Sequence, residues 1–253
     1  MLLAADNIHG LNRSVAEAMR TLNPAPIQAL ARECEKRGAT LIDINPGYLS
    51  RRNEDRMEFL VEAVQEVTSA RLVLDSPKAR ILERGLHACR QSPVLNALSL
   101  ELEKLNEILP LAAHHGTGLV LLLMDEKSVT PRTVEEKIAL GLELRERALA
   151  AGVKEENLIF DPVLPNLSWD EAFYRISECV KTVRLMASGA IFQDPVRTMV
   201  GLSNLRSGHL SQYPALIEQT ALVALAGAGL SICLANALNS DLMDVFSLAN
   251  RMT

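Results

Sequence analysis

Short apolar runs alternate along this chain with longer segments of helical period. The runs lie at 2–5, 40–42, 71–74, 94–95, 119–123, 158–160, 199–202 and 231–234. Between them apolar residues recur every three or four positions, as Met57, Leu60, Val61, Val64 and Val67 do within 55–68, which turns one helix face toward a core. The same period predicts helices over 78–90, 101–115, 134–151, 170–187, 215–226 and 241–252. Pro24-Ala25-Pro26 opens a further long helix that stops at Gly38, and 14–21 predicts a short extra one;. Short strands alternating with helices of this length form parallel βαβ units. Eight of them in 253 residues predict an α/β fold of the (β/α)8 TIM-barrel type, which typically takes roughly 250 residues. No linker-like stretch interrupts the pattern, so 1–253 reads as a single domain.

Seven of the eight runs stop on an Asp, an Asn or a short polar pair: Asp6-Asn7, Asp43 with Asn45, Asp75-Ser76, Asn96, Asp161, Ser203-Asn204 and Asn236. In the remaining run Met124 intervenes before Asp125. The carboxyl ends of parallel strands are where barrels place their chemistry. Any one such residue serves equally well as a helix N-cap, but several on one barrel face point to a site. Asp75, Asn96 and Asp161 are expected to converge over the mouth from neighbouring strands. Two carboxylates and a carboxamide suit a flat heterocycle with an edge of adjacent N–H donors.

Composition removes other classes of function. A net charge of −5 leaves no basic footprint for nucleic acid, and 48% hydrophobic with only 4% aromatic residues predicts a core of branched aliphatics;. The first residues carry polarity too early for a signal peptide and no apolar stretch approaches 18 residues, so a cytoplasmic protein with no membrane contact is expected;. Cys34, Cys89, Cys179 and Cys233 are widely spaced and read as buried thiols, not as zinc ligands or a disulfide framework;. None of the five His residues ends a run, and His114-His115-Gly116 reads as a helix end, so no metal is expected;. No Lys ends a run either, which disfavours Schiff-base chemistry, since Lys78 and Lys127 belong to the segments that follow;. A P-loop and a dinucleotide fingerprint are both absent;.

The chain resembles the pterin-binding methyltransferases that act on methyltetrahydrofolate and a corrinoid protein, within the dihydropteroate synthase-like superfamily. The resemblance rests on the order and spacing of Asn23-Pro24-Ala25-Pro26, Leu41-Ile42-Asp43-Ile44-Asn45-Pro46-Gly47, Leu74-Asp75-Ser76, Leu95-Asn96-Ala97, Leu109-Pro110-Leu111-Ala112, Phe160-Asp161-Pro162 and Gly201-Leu202-Ser203-Asn204. It implies a TIM barrel, commonly homodimeric, whose residues matching Asp75, Asn96 and Asp161 hold the pterin with Asp43, Asn45 and Ser203 beside them. Asn204, with Asp161, would be catalytic. The match places the Asn204 carboxamide at the ring nitrogen that carries the methyl, where a donor that strengthens as the amine is released favours the transition state selectively. Where the family has Gly-Glu-Arg-Ile-Asn-Gly, this chain has Ala5-Asp6-Asn7-Ile8-His9-Gly10.

The expected reaction moves a methyl group between methyltetrahydrofolate or tetrahydrofolate and the cobalt of a corrinoid. No Asp-x-His-x-x-Gly cobalamin signature is present, so the cobalamin is expected on a separate partner protein. That partner would dock over the mouth, near a polar rim formed by 205–210 with Arg206, His209 and Gln212. Dihydropteroate synthase is the alternative enzyme, but it needs a Ser-Arg-Lys cluster where this chain reads Ser203-Asn204-Leu205-Arg206. A non-catalytic pterin-binding subunit of a corrinoid complex is the alternative outside catalysis, and it would not need Asn204.

Overall fold

A computed structural model describes residues 1–209 and 212–252. Eight parallel strands close into a barrel in sequential order. They are β1 (Leu2–His9), β2 (Leu41–Asn45), β3 (Arg71–Asp75), β4 (Val94–Leu98), β5 (Gly118–Leu122), β6 (Leu158–Asp161), β7 (Arg197–Gly201) and β8 (Ile232–Ala235). Around them lie α1 (Arg13–Thr21), α2 (Ala25–Lys36), α3 (Asp55–Gln65), α4 (Ala79–Ala88), α5 (Leu102–His115), α6 (Val134–Ala150), α7 (Ala172–Ala187), α8 (Leu216–Gly227) and α9 (Ser240–Met252). This is the (β/α)8 barrel that the hydrophobic pattern predicts, with α1 as the extra helix.

Strand periodicity builds the interior. One residue from each strand contributes to a single apolar cluster of Ala4, Leu41, Val73, Val94, Val120, Ile159, Met199 and Ile232. Residues one position away, such as Ile42, Leu74, Leu95 and Phe160, join the shell shared with the helices, as period-two alternation requires. Helix α4 sits especially close to this shell, because a Cβ on Gly85 would meet Leu74 and Met57 side-chain carbons at 2.9 Å.

The strands run further than their apolar stretches, with β2 reaching Asn45, β3 Asp75 and β6 Asp161. Ladder hydrogen bonding is indifferent to side-chain polarity, so a strand continues through an inward-facing Asp. Two strands also carry one extra residue. Ala5 and Ile8 of β1 pair with Ile42 and Ile44, and Leu95 and Leu98 of β4 pair with Leu119 and Leu121. Both bulges fall at the mouth, spanning Asp6-Asn7 and Asn96-Ala97, where such an insertion re-aims side chains.

Cys34, Cys179 and Cys233 are buried and Cys89 is half-buried. Burial pushes all four thiols up, to about 11 for Cys89 and Cys179 and about 12 for Cys34 and Cys233, which leaves them inert at neutral pH. His114 and His115 close the last turn of α5 before Gly116, at the end of the barrel away from the mouth. Among the described residues no helix is long and apolar enough to cross a membrane.

Candidate functional site

Two residues beyond the apolar layer on each strand comes the next inward-facing position. These positions hold Asp6, Asp43, Asp75, Asn96, Leu122, Asp161, Gly201 and Leu234. One pleat therefore separates the part of the barrel that stabilises it from the part that presents chemistry. A cavity of about 240 Å3 opens on this layer, lined by Asp75, Ser76, Asn96, Lys104, Asp161 and Asn204 with Leu122, Gly201 and Leu234. Asp75, Asn96, Asp161 and Asn204 thus share one cavity. Their strands are not all neighbours, since β3 and β4 are adjacent but β5, with apolar Leu122, intervenes before β6.

Asn204 reaches the cavity from a 3-10 turn, Leu202–Arg206. Its side chain folds back over β7, where a Cβ on Gly201 would lie 3.1 Å from Asn204 Nδ2. Gly201 is what permits this approach.

The remaining predicted residues act from behind. Asn45 Nδ2 donates to Asp75 Oδ2 at 2.8 Å, and its Oδ1 accepts from the Gly47 amide at 2.9 Å. The Ser203 hydroxyl donates to Asp6 Oδ2 at 2.6 Å, tying the turn that carries Asn204 to β1. Asn7, at the β1 bulge, donates to Asn236 Oδ1 at 2.6 Å and accepts from the Ala237 amide at 3.0 Å. Asp43 is buried beneath the cavity, and its Oδ1 has no hydrogen-bond partner among the described residues.

Burial raises all four carboxyls in this small volume. Burial raises Asp43 well above the usual carboxylate range, the charges of Asp75 and Asp6 raise it further, and a hydrogen bond from Asn96 opposes them. Burial raises Asp75 to about 6 against the Asn45 hydrogen bond and the Lys104 charge. It raises Asp161 to about 7 against the Val163 amide and the Lys137 charge, and it raises Asp6 against the Ser203 bond and His9. Carboxyls titrating near neutrality in a cleft mark a functional site.

Lys104 and Lys137 escape a reading that looks for lysines only at strand ends. Lys104 projects from α5 into the cavity, donating to Ser99 Oγ at 3.3 Å and Glu101 Oε1 at 3.0 Å. Lys137 had a visible signal, since it shares a helical face with Gly141, Leu144 and Ala148, where an apolar residue belongs;.

The expected polar rim needs correction at Arg206. Its guanidinium lies largely buried, donating to the Tyr213 carbonyl at 2.9 Å and pairing with Glu218 at 3.3 Å. It braces α8 instead of facing outward. His209 is half-buried, Gln212 is exposed, and Leu210 lies outside the described residues. Exposed apolar groups lie among the polar ones on segments that follow strands: Leu11, Tyr48, Leu102, Val129, Trp169 and Phe173. Among the described residues no group of three or more His, Cys, Asp or Glu side chains could hold a metal ion.

A family model described as pterin binding enzyme matches residues 12–240. Among curated proteins, the methylcorrinoid:tetrahydrofolate methyltransferase of Eubacterium limosum is 26% identical over 211 residues, covering 82% of this chain and 75% of that protein. The methionine synthase of Mycobacterium leprae is 24% identical over 185 residues, and that match spans 71% of this chain but 15% of the longer relative. Among solved structures, a dihydropteroate synthase from Coxiella burnetii in complex with pteroic acid superposes with a TM-score of 0.73 at 16% identity, covering 99% of this chain and 92% of that one. That last likeness is one of fold.

Proposed function

Since the chain belongs to the pterin-binding enzyme family, we propose that it transfers a methyl group between methyltetrahydrofolate or tetrahydrofolate and a corrinoid held by a separate protein. One observation carries this reading. Asn204, a neutral donor that does not titrate, stands over the same cavity as the acceptors Asp75, Asn96 and Asp161. The similarity to the methylcorrinoid:tetrahydrofolate methyltransferase supports it.

The residues fit a pterin. Its edge of adjacent N–H donors needs carboxylate and carboxamide acceptors, and Asp75, Asn96 and Asp161 supply them on a buried floor. Asn45 holds Asp75 in place, and Lys104 and Lys137 favour the ionised, accepting forms of Asp75 and Asp161. A methyl leaves a tertiary amine only as that nitrogen gains positive character, and the released amine takes up one proton from solvent. Asn204 Nδ2 supplies a hydrogen bond that strengthens along that path, and the Asp6–Ser203 tie fixes the turn from which it acts. The corrinoid supplies the cobalt that exchanges the methyl. Its carrier is expected to dock on the mouth face, where exposed apolar groups such as Tyr48 and Phe173 lie on the loops that follow the strands;.

Dihydropteroate synthesis is disfavoured by Arg206, whose guanidinium is engaged by the Tyr213 carbonyl and Glu218. A methyl-transfer assay with methyltetrahydrofolate and reduced cobalamin separates the possibilities. Cobalt methylation is the expected result. Folate binding without transfer would leave a non-catalytic pterin-binding subunit, and condensation of a pterin diphosphate with aminobenzoate would make it a synthase.

A further inference from the structure

Lys137 is only 1% exposed, although it lies on α6 and not at the mouth. A lysine is almost never buried so fully without a partner, and removing its charge from water is costly. Lys137 Nζ donates to the carbonyl oxygen of Pro162 at 2.7 Å. Pro162 directly follows Asp161, and Val163 next to it takes a left-handed backbone, φ 58°, that brings its amide to 2.8 Å from Asp161 Oδ1. The Cys179 thiol meets the same turn, 3.5 Å from Pro162 O and 3.3 Å from Val163 O.

We propose that Lys137 is the positioning residue for Asp161: it pins the turn that aims the aspartate into the cavity and places a fixed positive charge behind the carboxylate. This rests on the reading of Asp161 as a pterin acceptor and explains how so buried a carboxylate stays ionised enough to accept.

The charged and titratable groups around Lys137 leave it in that role. On its own helix, Glu136 is committed to the capping box with Thr133. On α7, Glu178 pairs with Lys181 at 2.6 Å and accepts from the Val134 amide at 2.9 Å. Cys179 stays a thiol because burial raises it to about 11. Arg175 packs over Trp169, 5.9 Å from the ring centre, and repels Lys137. Asp161 is the remaining anion, and Lys137 is the charge that lowers its titration against burial.

Infrared titration of the apo protein tests this without any folate. The band of the protonated Asp161 carboxyl, assigned by its loss in Asp161→Asn, should disappear in wild type with a midpoint near the expected value of about 7. In Lys137→Met the midpoint should rise by at least about one pH unit, a tenfold change in ionisation. Lys137→Gln keeps a donor for Pro162 and lacks the charge, so it should show the same rise with the turn intact; it also serves if the methionine variant does not fold. In both variants methyltetrahydrofolate affinity, measured against wild type by calorimetry, should fall at least about fivefold at pH 7 and recover as pH rises, a rescue that a merely structural role would not give. An unmoved carboxyl midpoint in either folded variant overturns the proposal. A moved midpoint in a protein that binds no folate would keep the role of Lys137 and overturn the pterin reading instead.

Discussion

Asn204 and Asp43 show how differently two residues of one mouth use their polarity. Asn204 is exposed and touches the cavity, so its substitution acts on chemistry. Asn204→Ala should slow single-turnover methyl transfer by about 10²-fold, as loss of one such donor does elsewhere, while folate affinity falls less. Rapid-quench transfer beside calorimetric binding would read both, and equal losses would mean uniform binding. Asp43 is buried with one oxygen unpartnered, so its substitution acts on stability. Its carboxyl is raised by burial, then by Asp75 and Asp6, whereas in the unfolded chain it titrates near about 4. The stabilisation linked to its protonation is complete below that value and is lost as pH climbs toward and through the folded one. Asp43→Asn should therefore stabilise the protein at pH 8 and hardly at all at pH 4. Thermal melts at both pH values decide it, and an equal gain at both would deny that Asp43 titrates upward in the fold.

At the scale of elements, the strand that matters most for reaction geometry is β7, because it ends on glycine. Gly201→Ala would press a Cβ against Asn204 Nδ2 at 3.1 Å. The opposing atom ends a movable side chain, so the fold should tolerate the change and the melting temperature should hold nearly constant. Methyl transfer should drop about tenfold or more, since small misplacements of a reacting group are expensive. A paired melt and rate measurement checks this, and an unchanged rate would show that Asn204 has room to move aside. Elements were the most legible part of the sequence. Short apolar runs between segments of helical period located all eight strands, and the Asp and Asn residues that end the apolar runs marked the mouth. Contributions arriving from other elements were less legible. Lys104 reaches the cavity from α5 and Lys137 supports Asp161 from α6, and no local pattern says which helix residue a folded barrel brings to which strand. Arg206 failed for the same reason: only folding sets Glu218, twelve residues away, beside it.

For the molecule as a whole, the barrel offers a polar cavity at a mouth whose loops also carry exposed apolar groups, among them Tyr48 and Phe173. Such a face suits a partner that seats on the rim while its cofactor enters the centre, and transient partners need only a modest contact area. Phe173→Asp should slow transfer to or from a corrinoid protein about tenfold, the equivalent of about 1.4 kcal/mol, and spare transfer with free cobalamin. Kinetics with the two acceptors side by side test it. Equal slowing would place Phe173 in folate binding or catalysis and remove the rim from the docking argument.

The crowding of carboxyls on one pleat also has a calorimetric consequence. Asp75 and Asp161 titrate at about 6 and about 7 in the empty barrel, so near neutrality part of the population carries a proton on one or the other. A ligand whose N–H groups must be accepted there selects the ionised forms and expels those protons into the medium. The heat of folate binding at pH 6.5 should then vary with the ionisation enthalpy of the buffer, with a slope that counts released protons and shrinks toward zero by pH 9.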